Sequence, residues 1–222
     1  MQLGILPSAE IFLRIENALQ TERLLRYLPA AREDKKAAFS LYMWNCSLCE
    51  SFFVSLHFAE IVCRNAIHRR LLSRYGETWF HNATLHKVMD QRFGDELLSV
   101  MEDEREQHKE KMTAHHVVSA LTFAFWQHLL TKRFERMLWS GDGLRQSFPN
   151  APNRVGRQEL YQTVESVRRW RNRIAHHQAI FDKGPMAKHQ DAIALIRWTC
   201  GDTGDWVASL STVPATIAAR PA

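Results

Sequence analysis

The sequence predicts an all-α fold, and three observations support this. Apolar residues recur every three or four positions along most of the 222 residues, whereas the alternation typical of strands is missing. Glycine and proline concentrate at 141–152 and at 184–185, where they would separate helices. An apolar content of 45% with 24% charged residues is typical of a globular core. We therefore expect a helical bundle with additional N- and C-terminal helices.

The chain divides into three predicted parts. They are an N-terminal helical segment packed on the bundle (1–38), a helical core (39–180) and a C-terminal helical extension (181–222). In the first part, flanking prolines predict a helix from about Ser8 to Leu28, and residues 32–36 are predicted as a charged connector. In the last part, a helix is predicted over 187–198, and the tail beyond it gives weak signals of order.

Two apolar helices are predicted to form the centre of the core. From Leu41 to Leu71, apolar residues recur at intervals of three to five, as one face of a long helix requires. The segment 113–139 is apolar on most faces, which is typical of a helix inside a bundle. A charged surface helix is predicted over 90–111. Its acidic run at 102–106 is interpreted as a solvated face and not as a carboxylate metal site.

Charge and cysteine content limit the function classes. The net charge of +5 favours polyanionic partners only mildly, because the basic residues are spread along the chain. Neither a signal-peptide pattern nor an apolar run near the roughly 18 residues of a membrane span is found, so a cytoplasmic location and no membrane partner are predicted. Cys46 and Cys49 form a C-x-x-C without a second pair, and we interpret them as small buried residues of a helix. No metal and no cofactor is predicted.

The segment Arg171–His177 combines residue types that could cut RNA without a metal. Arginine is a permanent cation whose planar guanidinium matches phosphate oxygens. Histidine can both take and give a proton near neutral pH. The alternative is structural, since arginine and histidine are common near helix ends, where they interact with the last carbonyls. The histidines at 115, 116 and 128 are interpreted as surface or core residues.

On a straight helix, the two main groups of this motif cannot reach one phosphate. Arg171 lies on the apolar stripe with Ile174, about 140° around the helix from His176. The polar residues share another face, namely Arg169, Asn172, Arg173, His176 and His177. Either the helix ends between Arg171 and His176, or a two-fold dimer brings both motifs to one groove. If Arg171 is buried, it needs a carboxylate partner.

A second charged pattern lies in the predicted long helix. Glu60 precedes Arg64 by one turn, the favourable order for an ion pair within a helix. We prefer a structural salt bridge between these two residues. In the alternative interpretation, Glu60 orients Arg64 or an arginine of the motif helix. Asn65 lies beside them. The candidate RNA-binding or supporting residues are therefore Arg173, His177, Arg169, Arg64, Asn65 and Glu60.

Five ordered segments of the chain resemble the Abi-like (abortive infection) proteins, a branch of the HEPN superfamily of helical nucleotide-binding and RNA-cleaving domains. The segments are Tyr42–Asn45, Ala59–Ile67, Tyr75–Trp79, Leu121–Trp126 and Arg171–His177. They span about residues 40 to 180. The sequence departs from the family pattern at Gln178-Ala179, where Glu-Pro often follows in similar proteins.

The resemblance implies a HEPN-like bundle that dimerises and places two R-x4-6-H motifs in one cleft. It implies a metal-independent endoribonuclease of a bacterial anti-phage or toxin system, with Arg171, Asn172 and His176 as catalytic residues. RNA is the expected partner, and an antitoxin or a guide RNA is a further candidate. The alternatives are a non-catalytic RNA- or nucleotide-binding HEPN module and a toxin–antitoxin interaction protein.

Overall fold

The computed structural model describes residues 7–221, and every regular element in that range is helical. The predicted all-α fold is therefore confirmed. The α-helices, in chain order, are α1 (Ala9–Leu19), α2 (Thr21–Leu25), α3 (Lys35–Ser51), α4 (Phe53–Tyr75), α5 (Ala83–Val88), α6 (Gln91–His108), α7 (Ala114–Ala120), α8 (Phe123–His128), α9 (Gly143–Ser147), α10 (Arg157–Ala175), α11 (Pro185–Thr199), α12 (Gly201–Leu210) and α13 (Val213–Ala218). Short 3-10 or π-helical turns occur at Pro29–Ala31, Trp79–His81, Lys109–Lys111, Lys132–Phe134 and Glu135–Trp139.

The centre of the fold is formed by α4, α10 and α11, which pack against one another. The buried face of α10 consists of Leu160, Val164, Val167 and Trp170. The Trp170 ring meets the ring of the fully buried Phe52 edge-on, with centroids 5.4 Å apart. Aromatic pairs in this arrangement add to the stabilisation from burial. This packing fixes the carboxyl-terminal part of α10, which carries the motif, against the start of α4.

The predicted long helix over 41–71 is two helices. The first begins earlier than expected, because the Asp34 carboxylate accepts a hydrogen bond from the Ala37 amide (2.9 Å) and caps α3. The predicted connector therefore reaches only to Asp34. The break falls at Phe52, whose backbone (φ −77°, ψ −16°) stays close to helical values. Because the side chains keep their helical spacing across Phe52, the periodicity gives no sign of the break.

Two other predicted helices are also interrupted. The N-terminal one breaks at Gln20, which has a positive φ of 63°. The segment 113–139 forms α7, α8, a 3-10 turn and a π-helical turn, although residues 125–130 are all buried as expected. At the start of α8, the Thr122 hydroxyl accepts a hydrogen bond from the Phe125 amide (3.3 Å) and caps a new helix. The burial of this segment on most faces was therefore predicted correctly, but the prediction of one continuous helix was wrong.

Two stretches predicted as loop or weakly ordered tail are helical. The loop over 141–152 contains α9, and the tail forms α12 and α13. The tail is anchored to the core, since the Trp44 indole donates a hydrogen bond to the Thr216 carbonyl (2.7 Å) and Val213 is fully buried. The expectation of a weakly ordered tail was therefore wrong, because contacts with α3 and α11 stabilise it.

The stretch Lys35–Tyr75, which comprises α3 and α4, is long and apolar enough to cross a membrane by length and composition. This differs from the expectation that no run approaches that length. The core helix of a globular protein passes the same test, and α3 and α4 both bury one face in the core. The acidic run at 102–106 lies on α6, where four of its five residues are exposed, as predicted.

Candidate functional site

The motif lies at the carboxyl end of α10, and the helix stops inside it. The helix ends one residue before His176, and His177 adopts the left-handed conformation with φ 53°. The Gln178 amide donates a hydrogen bond to the Arg173 carbonyl (2.9 Å), which satisfies one of the last carbonyls of the helix. Of the two alternatives, the helix end between Arg171 and His176 is therefore present, but the His176 amide still donates a hydrogen bond to the Asn172 carbonyl (2.9 Å), and the chain turns only at His177.

Arg171 is oriented by two partners. Its Nε lies 3.3 Å from Glu60 Oε2 on α4, and its Nη1 donates a hydrogen bond to Asn172 Oδ1 (3.3 Å). Among the described residues Glu60 pairs with Arg171 and not with Arg64, so the preferred Glu60–Arg64 salt bridge was wrong. The contact that the alternative requires, between Glu60 and an arginine of the motif helix, is present, and the supporting role of Glu60 stays a prediction. The Arg171 side chain remains 47% exposed, which leaves it accessible to an anionic ligand.

Arg171 lies on the wall of a groove of about 600 Å³, which we call the α4 groove. It lies between α10 and the segment from the end of α3 through the first turns of α4. Its lining residues are Cys49, Glu50, Phe53, Leu56, His57, Glu60, Arg171, Ile174, Ala175 and His177. The wall is largely apolar, with one guanidinium, two carboxylates and two imidazoles. This volume is typical of small-ligand sites.

The α4 groove contains His177, whereas His176 is exposed and does not line it. On an ideal helix, His177 would share a face with Arg169 and Arg173. The positive φ of His177 turns the chain after α10, so His177 leaves the helical path; besides the α4 groove it lines two smaller grooves that contain Arg23. The sequence-based placement of His177 was therefore wrong. Within one chain, the groove pairs Arg171 with His177, and His176 lies next to this pair at the helix end.

The other two arginines of the motif helix line a different groove. Arg169 and Arg173 lie in a groove of about 450 Å³ between α10 and α11, which we call the α11 groove. Its lining residues are Gln162, Glu165, Ser166, Arg169, Trp170, Arg173, Lys183 and Lys188. The predicted common face of Arg169 and Arg173 is confirmed. Arg171 is about 160° away from both around the helix, so the two grooves flank α10.

Arg64 and Asn65 are not brought to either groove. Both are partly buried on α4, and among the described residues Arg64 Nε is buried without a hydrogen-bond partner. They lie about one turn further along α4 than Glu60, away from the end of α10. The structure therefore joins Glu60 to the motif but leaves these two candidates apart from it.

Asn45 positions the segment that follows the histidines. It is buried on α3, and its Oδ1 accepts hydrogen bonds from the amides of Ile180 (2.9 Å) and Phe181 (3.2 Å). This residue was absent from the predicted site, although it lies in the first segment of the family resemblance. A single buried amide thereby fixes the chain three residues beyond His177.

The cysteine pair lies on α3, partly buried, with both thiols free. Burial raises the pKa of both thiols, that of Cys49 to about 12. A thiol with a raised pKa is a poor nucleophile near neutral pH. The interpretation of Cys46 and Cys49 as small helical residues fits this environment. Within residues 7–221, no three His, Cys, Asp or Glu side chains lie close enough to hold a metal ion.

No protein-family model matches the chain, and neither the curated proteins nor the solved structures gave a match. The resemblance to the Abi-like proteins therefore stays a prediction. The geometry itself offers a cation, a carboxylate that orients it and two adjacent imidazoles at one helix end. Such a set can bind a phosphate and transfer protons at its oxygens.

Proposed function

We propose that the protein is a metal-independent endoribonuclease of a bacterial anti-phage (abortive infection) or toxin system. The observation that supports this most directly is the α4 groove, where Arg171 is held by Glu60 and shares the wall with His177. His176 lies exposed beside them at the end of α10. The family resemblance supports the same activity. RNA in the cytoplasm is the proposed target.

RNA carries its own nucleophile, so these side chains need only position it and move protons. The ribose 2′-OH attacks the adjacent phosphorus, the bond from phosphorus to the 5′-oxygen breaks, and a 2′,3′-cyclic phosphate and a 5′-OH remain. One imidazole takes the proton of the 2′-OH, and an imidazole gives a proton to the departing 5′-oxygen. Such proton transfer contributes typically about 10²–10⁴-fold to the rate. DNA lacks the 2′-OH and is not cut.

The roles within the motif follow from the contacts. Arg171 stabilises the charge that develops on the non-bridging phosphate oxygens, and preorganised contacts of this kind are worth about 10²–10³-fold. Glu60 and Asn172 hold its guanidinium from two sides. The sequence motif assigns the acid–base role to His176, and the groove geometry adds His177 as a second candidate for it.

An exposed apolar face next to the α4 groove supports a homodimer. Phe53 is 70% exposed and Trp206 is 54% exposed, and a chain of ring contacts leads from Phe53 through His57 and Phe58 to Trp206. Val54 and the nearby helix α12 add further exposed apolar surface. Large exposed apolar patches mark interaction sites. A two-fold contact through this face would bring two α4 grooves together.

End-group analysis tests the nuclease. Single-stranded RNA is incubated with the protein in excess EDTA, and the product ends are identified. The wild type should leave 2′,3′-cyclic phosphate and 5′-OH ends, and the double variant His176→Ala/His177→Ala should lose nearly all cutting. The single variants rank the two histidines, and His81→Ala, an exposed histidine outside both grooves, is the control. Identical product patterns from the wild type and the double variant would rule out nuclease activity at this site.

The alternative is a module that binds RNA without cutting it. The α11 groove favours this function, because its cations can bind phosphates whether or not the RNA is cleaved. Strong, salt-dependent RNA binding without cleavage would select this alternative. A flat dependence of affinity on salt concentration would instead favour the protein-interaction role.

A further inference from the structure

We propose that the α11 groove is a separate subsite for the phosphate backbone of single-stranded RNA, away from the scissile phosphate. The inference rests on the proposed function for the identity of the ligand. It adds Lys183 and Lys188, which no sequence pattern singled out, to the predicted RNA-binding residues Arg169 and Arg173. In this proposal the groove contributes to RNA affinity and takes no part in the cleavage reaction.

Four cations from three parts of the chain meet in this groove. Arg169 and Arg173 project from the same face of α10, Lys183 comes from the segment before α11, and Lys188 comes from α11 itself. The only acidic residue of the lining is Glu165, which lies 3.0 Å from Arg169; Asp182 and Asp191 lie outside the lining beside the two lysines, and Arg173 has no carboxylate partner among the described residues. The groove is thus complementary in charge to a chain of phosphates.

Lys188 is held in place before any ligand binds. Its Nζ donates a hydrogen bond to Ser166 Oγ (2.8 Å), and Ser166 Oγ donates one to Asp191 Oδ2 (2.5 Å). Asp191 also lies 3.5 Å from the same ammonium group. A lysine fixed in this way loses little side-chain freedom when a phosphate binds. About one third of its side chain is exposed, so the ammonium group remains accessible.

Lys183 is more loosely held. Its Nζ lies 3.5 Å from Asp182 Oδ2, an oxygen that the Arg26 guanidinium also contacts. Exposed ion pairs of this kind are weak. A phosphate can therefore replace Asp182 as the partner of Lys183, while Arg26 keeps that carboxylate neutralised.

The lining predicts recognition of the backbone and not of bases. Trp170 is its one aromatic side chain, and it is buried with its ring packed against Phe52, so it offers no free face for stacking. The groups that can donate to a phosphate are cations and the amide of Gln162, which bind phosphate oxygens of any sequence. Across α10, a distance of about 10–12 Å separates the two grooves. A stacked strand covers that distance in roughly three nucleotides.

Binding of labelled oligonucleotides tests the subsite. Fluorescence anisotropy with a 12-residue uridine RNA is measured in the His176→Ala/His177→Ala background, which prevents cutting. Adding Lys183→Gln and Lys188→Gln should weaken binding about 25-fold at 0.1 M salt and lower the slope of log affinity against log salt by about 1.4, at about 0.7 for each lost contact. Lys87→Gln/Lys132→Gln removes the same charge from exposed lysines outside both grooves and should change little.

Lys183→Gln alone should weaken binding about fivefold. This variant leaves the Lys188–Ser166–Asp191 contacts intact, so it tests the subsite even if the double variant is less stable. The thymidine DNA of the same length should bind within a few-fold of the RNA, because phosphates carry the contact.

The outcomes separate the subsite from the nuclease. If the groove variants bind RNA as well as the Lys87→Gln/Lys132→Gln control does, the subsite is wrong even when the wild type cuts RNA with the expected ends. Failure of DNA to bind would also overturn it. If the lysine variants of the α11 groove lose affinity while the histidine variants leave the cleavage pattern unchanged, the subsite is supported and the proposed nuclease is wrong.

Discussion

Arg171 and Arg173 lie two residues apart on α10, yet they face different surroundings. Arg171 lies on a largely apolar wall, where its guanidinium pairs with a single carboxylate, that of Glu60 on α4. Arg173 lies among other cations, on the side of α11, and its Nη1 donates a hydrogen bond to Gln178 Oε1 (3.1 Å). A single oriented cation suits charge that develops at one phosphate, whereas several accessible cations suit the binding of many phosphates.

Of the two histidines at the end of α10, only His177 lines the first of these surroundings. His177 enters the α4 groove because its backbone is left-handed, and His176 remains exposed at the helix end. Under the proposed function, Arg171 and His177 would bring charge stabilisation and proton transfer to the same side of the helix. One short motif can in this way supply chemistry and affinity to opposite sides of a single helix.

Among single changes to the arginines of α10, the greatest loss of activity is expected for Arg171→Ala. The single-turnover cleavage rate at saturating RNA should fall about 10²–10³-fold, because a preorganised contact to the developing charge is lost. Affinity for RNA should change little. The matched variant Arg173→Ala should do the reverse, weakening binding about fivefold at 0.1 M salt while the saturated rate stays close to that of the wild type. Equal losses of rate in both variants would abolish the distinction between the two sides.

A smaller effect is expected for Glu60, a positioning residue that acts through Arg171. Glu60→Ala should lower the saturated cleavage rate roughly tenfold, since a misplaced group costs rate without weakening binding. Glu60→Gln should recover only part of that loss, because the amide keeps the shape and polarity of the side chain but not the charge that pairs with Arg171. Rates of both variants are measured beside Arg171→Ala/Glu60→Ala. If Glu60→Ala lowers the rate further in the absence of Arg171, the carboxylate does not act through the arginine.

A still smaller effect concerns stability on the α11 side. Burial lowers the pKa of His189 from its ordinary value of 6.5, and its Nε2 lies 2.8 Å from Ser211 Oγ. The unfolded chain therefore takes up a proton first as the pH falls below about 6.5, and stability decreases until the folded pKa is reached. A difference of one in pKa between the folded and the unfolded chain corresponds to about 1.4 kcal/mol. His189→Gln should reduce the drop in Tm between pH 7.5 and pH 5.

His68 and His128 should keep part of this acid sensitivity, because burial lowers the pKa of each of them as well. The drop in Tm between pH 7.5 and pH 5 that remains in the His189→Gln variant measures the contribution of these two histidines. An unchanged drop in that variant would show that protonation of His189 does not limit acid stability.

Much of α10 could be predicted from the sequence. Leu160, Val164 and Val167 mark its buried face, and a helix end between Arg171 and His176 was one of the two alternatives that their 140° separation left open. The pairing of Glu60 with the motif helix was stated as an alternative to the Glu60–Arg64 salt bridge. These features follow from helical geometry and charge, which the sequence carries directly.

The rest depends on the backbone and on tertiary contacts. The direction of His177 follows from a positive φ in a residue that is not glycine, and no residue pattern announces it. Lys183 and Lys188 join Arg169 only because α11 folds back along α10. The break at Phe52 leaves the helical spacing unchanged. Short-range patterns therefore locate the motif, while the identity of its neighbours requires the folded chain.

In the proposed nuclease, the 2′-OH of the RNA is the nucleophile, and Arg171 and the histidines at the end of α10 assist its attack. A sharp test uses an RNA mapped for its main cleavage site and a second RNA with one 2′-deoxynucleotide at the 5′ side of that bond, both in excess EDTA. We expect that this bond, cut in the first RNA with a 2′,3′-cyclic phosphate end, stays intact in the second. Continued cleavage at the 2′-deoxy position would show that the 2′-OH is not the nucleophile.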